Sequence, residues 1–143
     1  MVWRGYTMES ECIFCRIVDG EIPAVRVYED GEHLAFLDTN PRSEGHVLAI
    51  PKEHIKTNDE LGDEQTAKLF IVVKRIAESL KQKMGVKGYN IVSNNGEIAG
   101  QVIPHVHIHI VPRYEDQRSS AGFESAFPVD AKAKRKVEES IEK

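Results

Sequence analysis

The sequence predicts an α+β domain, an antiparallel meander sheet with one long helix laid over one face. Short strand-like segments joined by tight turns occupy both halves of the chain, and one stretch of helical periodicity separates them. No repeat, low-complexity tract or flexible linker divides the 143 residues, which make one ordinary domain long enough to bury a core.

Residues 24–28 and 33–38 read as strands joined at Glu29-Asp30-Gly31, a hairpin turn signal. Asn40-Pro41-Arg42-Ser43-Glu44-Gly45 is a second turn, and the apolar strand 46–50 follows it. The long helix starts with Asp63 as its cap. Ala67, Phe70, Val73, Ala77, Leu80 and Met84 recur at helical spacing until Gly85 stops it, and this stripe is assigned to core packing. A strand over 89–93, a polar loop over 94–103 and a histidine-rich strand come next. In the tail, Val129, Ala133, Val137 and Ile141 fall four apart and predict a short amphipathic helix. Its cluster of Lys132, Lys134, Arg135 and Lys136 reads as a solvated face. The expected organisation is an extension over 1–10, with Met8 as an alternative start, a folded domain over 11–114 and a tail over 115–143.

Composition narrows the class. Hydrophobic content of 41% and charged content of 29% suit a soluble globular protein. A formal charge of −4 and dispersed basic residues give no nucleic-acid-coating surface. No apolar run approaches the ~20 residues of a membrane helix, and the first seven residues lack the apolar core of a secretory signal. The expectation is a cytoplasmic protein without nucleic-acid or membrane partners. The two cysteines, in Cys12-Ile13-Phe14-Cys15, do not make a disulfide framework. Three readings stand for them: a redox pair, although nothing strand-like precedes Cys12; an inert buried pair; or half of a zinc site.

The most informative segment is Pro104-His105-Val106-His107-Ile108-His109-Ile110-Val111-Pro112. Histidines alternate with β-branched residues and a proline brackets each end, so it reads as a short strand. Residues two apart share a strand face at roughly 6.6 Å spacing. The three imidazoles therefore point one way and Val106, Ile108 and Ile110 the other. A row of imidazoles can bind metal, shuttle protons or attack an electrophile. A plain half-buried strand accounts for the alternation but does not ask for the same titratable side chain three times.

Cys12-x-x-Cys15, Gly45-His46-Val47-Leu48-Ala49-Ile50-Pro51-Lys52 with His54 just beyond, Asn94, Gly100-Gln101 and His105-Val106-His107-Ile108-His109 follow one another in the order of a known family. Over residues 11–114 the chain closely resembles the histidine triad (HIT) superfamily, in the branch of Hint-type nucleotide hydrolases. The resemblance implies a HIT-like fold and a two-fold homodimer, with Phe123 and Phe127 of the tail reaching the partner's site. It makes His107 the nucleophile, attacking the α-phosphorus of purine nucleoside phosphoramidates or related AMP and GMP conjugates. Water then hydrolyses the nucleotidyl–histidine intermediate. His109 would bind phosphate oxygens and help move protons, and His46 would complete the imidazole cluster. Asn94, Gln101 and the backbone N–H groups around Gly100 to Val102 would hold the non-bridging oxygens. Asp38 matches the family's ribose ligand, and Ile13, Phe14, Ile17 and Phe36 match its apolar base slot.

The same resemblance assigns one structural Zn²⁺ per subunit to Cys12, Cys15, His54 and His105, with no metal needed for the chemistry. One departure stands out: well-known eukaryotic Hint proteins carry a serine, linked to leaving-group protonation, where this chain has Val102. Dinucleoside polyphosphate hydrolysis and nucleotidyl transfer are the alternatives within the superfamily. Outside it stand a non-catalytic nucleotide-binding adaptor and a metalloenzyme using the triad itself.

Overall fold

The computed structural model describes residues 11–115 and 129–142. The extension over 1–10, with Met8, and the tail residues Phe123 and Phe127 lie outside the described residues. The elements are, in order, α1 (Ile13–Val18), β1 (Arg26–Glu29), β2 (His33–Leu37), β3 (Val47–Pro51), α2 (Asp63–Met84), β4 (Gly88–Val92), β5 (Ile108–Arg113) and α3 (Ala131–Glu142). The strands form one antiparallel sheet in the order β1-β2-β3-β5-β4. The predicted meander holds for the first three strands. After α2 the chain enters at the far edge as β4 and returns as β5 between β4 and β3, so the histidine strand ends up inside the sheet rather than at its edge.

Side chains alternate across a strand, and here the alternation divides two cores. Ala35, Val47, Ala49, Ile108 and Ile110 pack under α2, with Leu69, Val72, Val73, Ile76 and Leu80 from the helix. Leu34, Phe36, Leu48 and Ile50 point to the opposite face, where Cys12, Phe14 and Ile17 cover them. His109 pairs with Leu48 across β3 and therefore belongs to this second face.

Several expectations are corrected. Gly62, not Asp63, caps α2: Asp63 is its first residue, and the Gly62 N–H donates to Gln65 Oε1 at 2.8 Å. Val73, Ala77 and Leu80 of the expected stripe are buried, but Ala67, Phe70 and Met84 are exposed. Three residues turn a helix by only about 300°, so stepping back from buried Val73 through Phe70 to Ala67 walks off the buried face. The strand also starts later than expected. The His105 N–H bonds Ile103 O and the Val106 N–H bonds Ile55 O, so pairing with the sheet begins at Ile108. Pro112 does not end β5 but sits inside it, opposite Tyr89 and beyond the last pairing with β3 at Ile110. There the missing N–H costs no bond to β3.

The tail helix forms as expected and buries Ala133 and Val137. Its basic cluster is not simply solvated: Lys134 Nζ donates to Thr39 O and Asn40 Oδ1, and Lys136 pairs with Glu44 at 3.0 Å.

Candidate active site

A cavity of about 440 Å³ opens on the sheet face opposite α2, a size suited to a small ligand. Its walls come from α1, the segment before β1, the turn between β2 and β3, and the loop before β5. All eight residues proposed for substrate binding line it: Ile13, Phe14, Ile17, Phe36, Asp38, Asn94, Gly100 and Val102. His46, His107 and His109 line it too. Phe14 meets Phe36 edge-on at 5.5 Å and His107 at 5.1 Å, so the apolar side of the cavity adjoins the His107 imidazole directly.

Gln101 is not part of the wall. Its side chain is buried and committed to backbone: Nε2 donates to Lys56 O (2.8 Å) and Ile103 O (3.0 Å), and Oε1 accepts from Gly96 N–H (2.7 Å). It braces the loop that presents Asn94 and Gly100 rather than facing a ligand. The loop turns at Gly100, whose φ of 93° favours glycine.

Sequence reasoning missed Ile22, Pro23, Ala24, Leu37, Thr39, Asn40, Arg42, Leu48 and Ile103, which complete the walls. The apolar run Ile22-Pro23-Ala24 beside a turn was a usable signal. The turn residues carried none, because Asn, Pro and Ser there are what any turn requires.

Hydrogen bonds assign the proton positions on the imidazoles. His107 Nδ1 lies 2.7 Å from His105 O, so it carries the hydrogen and leaves the lone pair on Nε2. Burial pushes the His107 pKa below its ordinary value, which keeps the ring neutral and nucleophilic at pH 7. His46 Nδ1 accepts from the Arg42 backbone N–H at 2.9 Å, placing its hydrogen on Nε2. That Nε2–H faces His109 Nδ1 at 3.0 Å, with Asp38 Oδ2 3.5 Å away. His109 therefore accepts at Nδ1 and carries its own hydrogen on Nε2. Burial lowers both pKa values, that of His109 to about 3, opposed by the nearby Asp38 carboxylate.

Asp38, His46 and His109 have donor atoms within 4.8 Å of one another. Since His46 presents an N–H rather than a lone pair, they form a hydrogen-bond relay, not a ligand set.

Beside the cavity, Cys12, Cys15, His54 and His105 also bring their donor atoms within 4.8 Å. The Sγ to Nδ1 separations are 3.3 Å (Cys12–His105), 3.3 Å (Cys15–His54) and 3.5 Å (Cys15–His105). Zinc–sulfur and zinc–nitrogen bonds of ~2.3 and ~2.0 Å give a tetrahedron edge of about 3.5 Å, so this donor set fits the metal. His105 Nε2 donates to Pro51 O at 2.8 Å, which turns the Nδ1 lone pair toward the sulfurs. Of the three readings of the cysteine pair, this geometry favours the zinc half-site.

Sheet, cavity and imidazoles together define a class, the histidine triad proteins. Comparison of families agrees, since the HIT domain matches residues 19–116. The chain belongs to the HIT family. An uncharacterized HIT-like protein of Methanocaldococcus jannaschii is 51% identical over 119 residues, covering 83% of this chain and 92% of its own. A Schizosaccharomyces pombe protein named adenosine 5′-monophosphoramidase is 39% identical over 130 residues, covering 91% and 95%. Among solved structures, a zinc-bound histidine triad family protein from Mycobacterium smegmatis superposes with a TM-score of 0.76 at 33% identity, covering 94% and 95%. Other relatives are named adenosine 5′-monophosphoramidase and adenylylsulfatase, hydrolases of this family, and the chain is an enzyme of the HIT family.

Proposed function

We propose that the protein hydrolyses nucleoside 5′-phosphate derivatives, with purine phosphoramidates as the leading substrates, through a nucleotidyl intermediate on His107. The observation that carries this reading is a neutral imidazole whose Nδ1–H is held by a backbone carbonyl, beside a cavity with a carboxylate and an apolar slot. The base stacks between Ile13, Phe14, Ile17 and Phe36, and the ribose hydroxyls donate to Asp38. His107 Nε2 attacks the α-phosphorus, and the bond from phosphorus to the leaving group breaks. Water then adds to the same phosphorus and returns the bonding pair to Nε2. Across both steps one water supplies an oxygen to phosphorus and the protons that the amine needs.

Asn94 and the backbone N–H groups around Gly100 to Val102 hold the non-bridging oxygens. The Nε2–H of His109 hydrogen-bonds the phosphoryl group or the departing atom. Gln101 acts one step back, by bracing that loop.

Cys12, Cys15, His54 and His105 would hold one zinc, which when bound supplies a rigid cross-link between the N-terminal segment and the residue whose carbonyl orients His107. Four protein ligands make it a closed site.

Tyr89 and Ile91 are exposed on the outer strand β4, and Phe70 and Ile71 are exposed on α2. These apolar side chains support pairing with a second copy, and a homodimer is the assembly we propose. Among the described residues no helix is long and apolar enough to cross a membrane. Two thiols placed as metal ligands suit a reducing compartment, and we place the protein in the cytoplasm.

The test is initial-rate turnover of adenosine 5′-phosphoramidate in buffer free of divalent cations. Wild type turns it over, and His107→Ala loses at least about 10³-fold in kcat while binding AMP within about twofold. Undiminished activity in His107→Ala contradicts the reading.

A further inference from the structure

The turn between β2 and β3 forms part of the cavity wall through Thr39, Asn40 and Arg42, while its other contacts run to α3 and β5. The Ser43 hydroxyl donates to Pro112 O at 2.6 Å, and the Tyr114 hydroxyl donates to Glu44 O at 2.8 Å, fixing residues 43 and 44 to β5 and its end. Residues 39–41 are held from α3 instead. Lys134 Nζ donates to Thr39 O (3.1 Å) and Asn40 Oδ1 (2.7 Å), and the Asp130 backbone N–H donates to Pro41 O at 2.7 Å.

That last contact falls on a particular peptide group. Pro41 C=O and Arg42 N–H belong to one planar trans peptide and point in opposite directions. One end is gripped by Asp130. The other donates to His46 Nδ1 at 2.9 Å, and His46 Nε2–H then donates to His109 Nδ1 at 3.0 Å. Asp130 is itself set by the helix it starts: its Oδ1 accepts from Ala133 N–H at 3.1 Å and its carbonyl from Lys134 N–H at 2.9 Å. A hydrogen-bonded line thus runs from the first turn of α3, through one peptide plane and one imidazole, to His109. Such chains polarise in one sense and hold their members in one tautomer.

We propose that Asp130 and Lys134 are positioning residues for catalysis: the tail helix holds the Pro41–Arg42 peptide plane, and through it keeps His109 as an acceptor at Nδ1 and a donor at Nε2. The catalytic part of this inference rests on the proposed function, whereas the tautomer part does not. Neither side chain lines the cavity, so their effect runs through the turn rather than through contact with substrate. Asn caps a helix as well as Asp does, and Ala does not, which makes Asp130→Asn the conservative control for Asp130→Ala.

The test uses the full chain with ¹⁵N-labelled histidine. Ring-nitrogen shifts of His46 and His109 are read at pH 7.5 for wild type, Asp130→Ala, Asp130→Asn and Lys134→Met. The same proteins are assayed for kcat and KM on adenosine 5′-phosphoramidate. Expected are a single Nε2–H tautomer at both histidines in wild type and Asp130→Asn, and averaged Nδ1/Nε2 shifts for His109 in Asp130→Ala and Lys134→Met. In those two variants kcat falls about tenfold and KM changes less than twofold. If Asp130→Ala does not fold, Lys134→Met decides, because it leaves the cap intact. Tautomers and kcat both unchanged in Lys134→Met overturn the proposal. Averaged tautomers in a protein with no turnover even in wild type uphold the positioning and overturn the proposed function instead.

Discussion

The carbonyl oxygen of His105 lies 2.7 Å from Nδ1 of His107, so the first triad histidine orients the second through its backbone while its own ring turns toward Cys12 and Cys15. One residue thereby joins the candidate metal centre to the candidate nucleophile. Its buried Nε2–H is in turn anchored on Pro51 O at the end of β3, so the segment carrying both histidines is fixed to the sheet just before it enters β5.

Zinc should therefore matter to the fold more than to the chemical step. Elemental analysis is expected to give one zinc per chain, lost in Cys15→Ser. The variant should be less stable by about 3 kcal/mol, lowering Tm by roughly 10 °C. Activity of the zinc-loaded wild type should survive brief chelator treatment that leaves the metal bound. A zinc-free wild type with unchanged Tm contradicts the structural role.

Asp38 is expected to act in nucleoside binding. Its side chain is mostly buried, with Oδ1 accepting from the Asn40 N–H at 2.8 Å and Oδ2 3.5 Å from His46 Nε2. Charged hydrogen bonds of this kind are each worth about 1.5–3 kcal/mol. Asp38→Asn should raise KM by ~10–100-fold. A 2′,3′-dideoxyribose substrate should show that penalty in wild type and little further loss in the variant. Equal discrimination by both proteins would place the ribose elsewhere.

Val102 is 86% exposed at the cavity wall, so exchanging it for serine disturbs no packing. A hydroxyl there adds a proton donor near the departing atom. Val102→Ser is expected to raise kcat on a phosphoramidate about 10²-fold, the low end of the gain from one general acid. It should barely change kcat on a substrate with an acidic phenol leaving group. Equal effects on both substrates would remove leaving-group protonation as the explanation.

Buried neutral histidines should make the protein acid-labile. His46 and His109 have folded pKa values lowered by burial, that of His109 to about 3. Below the unfolded value near 6.5 the unfolded chain takes up protons that the folded one refuses. Stability is then complete above about pH 6.5 and falls as pH drops toward the folded values, by up to about 1.4 kcal/mol per pH unit for each histidine. Urea titrations from pH 7.5 to 4.5 should show this slope, reduced in His46→Asn. A flat profile contradicts the assigned neutral state.

What could be read in advance was whatever repeats at short range or bears unusual chemistry. The alternation of histidines with Val106, Ile108 and Ile110 gave the two faces of β5 and of the segment leading into it, while the family resemblance joined His54 and His105 to Cys12-x-x-Cys15, four residues whose donor atoms the fold brings within 4.8 Å. The buried face of α2 was read in part only, because apolar residues such as Phe70 and Ile71 occur on its exposed side as well. The family resemblance placed Gln101 beside the reacting phosphate, but its three backbone partners are visible only once the loop is folded. Nothing local in Lys134 or Asp130 distinguishes them from other surface residues. The positioning role proposed for them rests on contacts about ninety residues away along the chain.

The most direct test of the account is intact-mass spectrometry on protein quenched without acid during turnover of adenosine 5′-phosphoramidate. The account predicts a transient adduct of one adenylyl group per chain, absent in His107→Ala and accumulating when water attack is slowed. Adenylyl label recovered on a residue other than His107, or an equal adduct in His107→Ala, would contradict it.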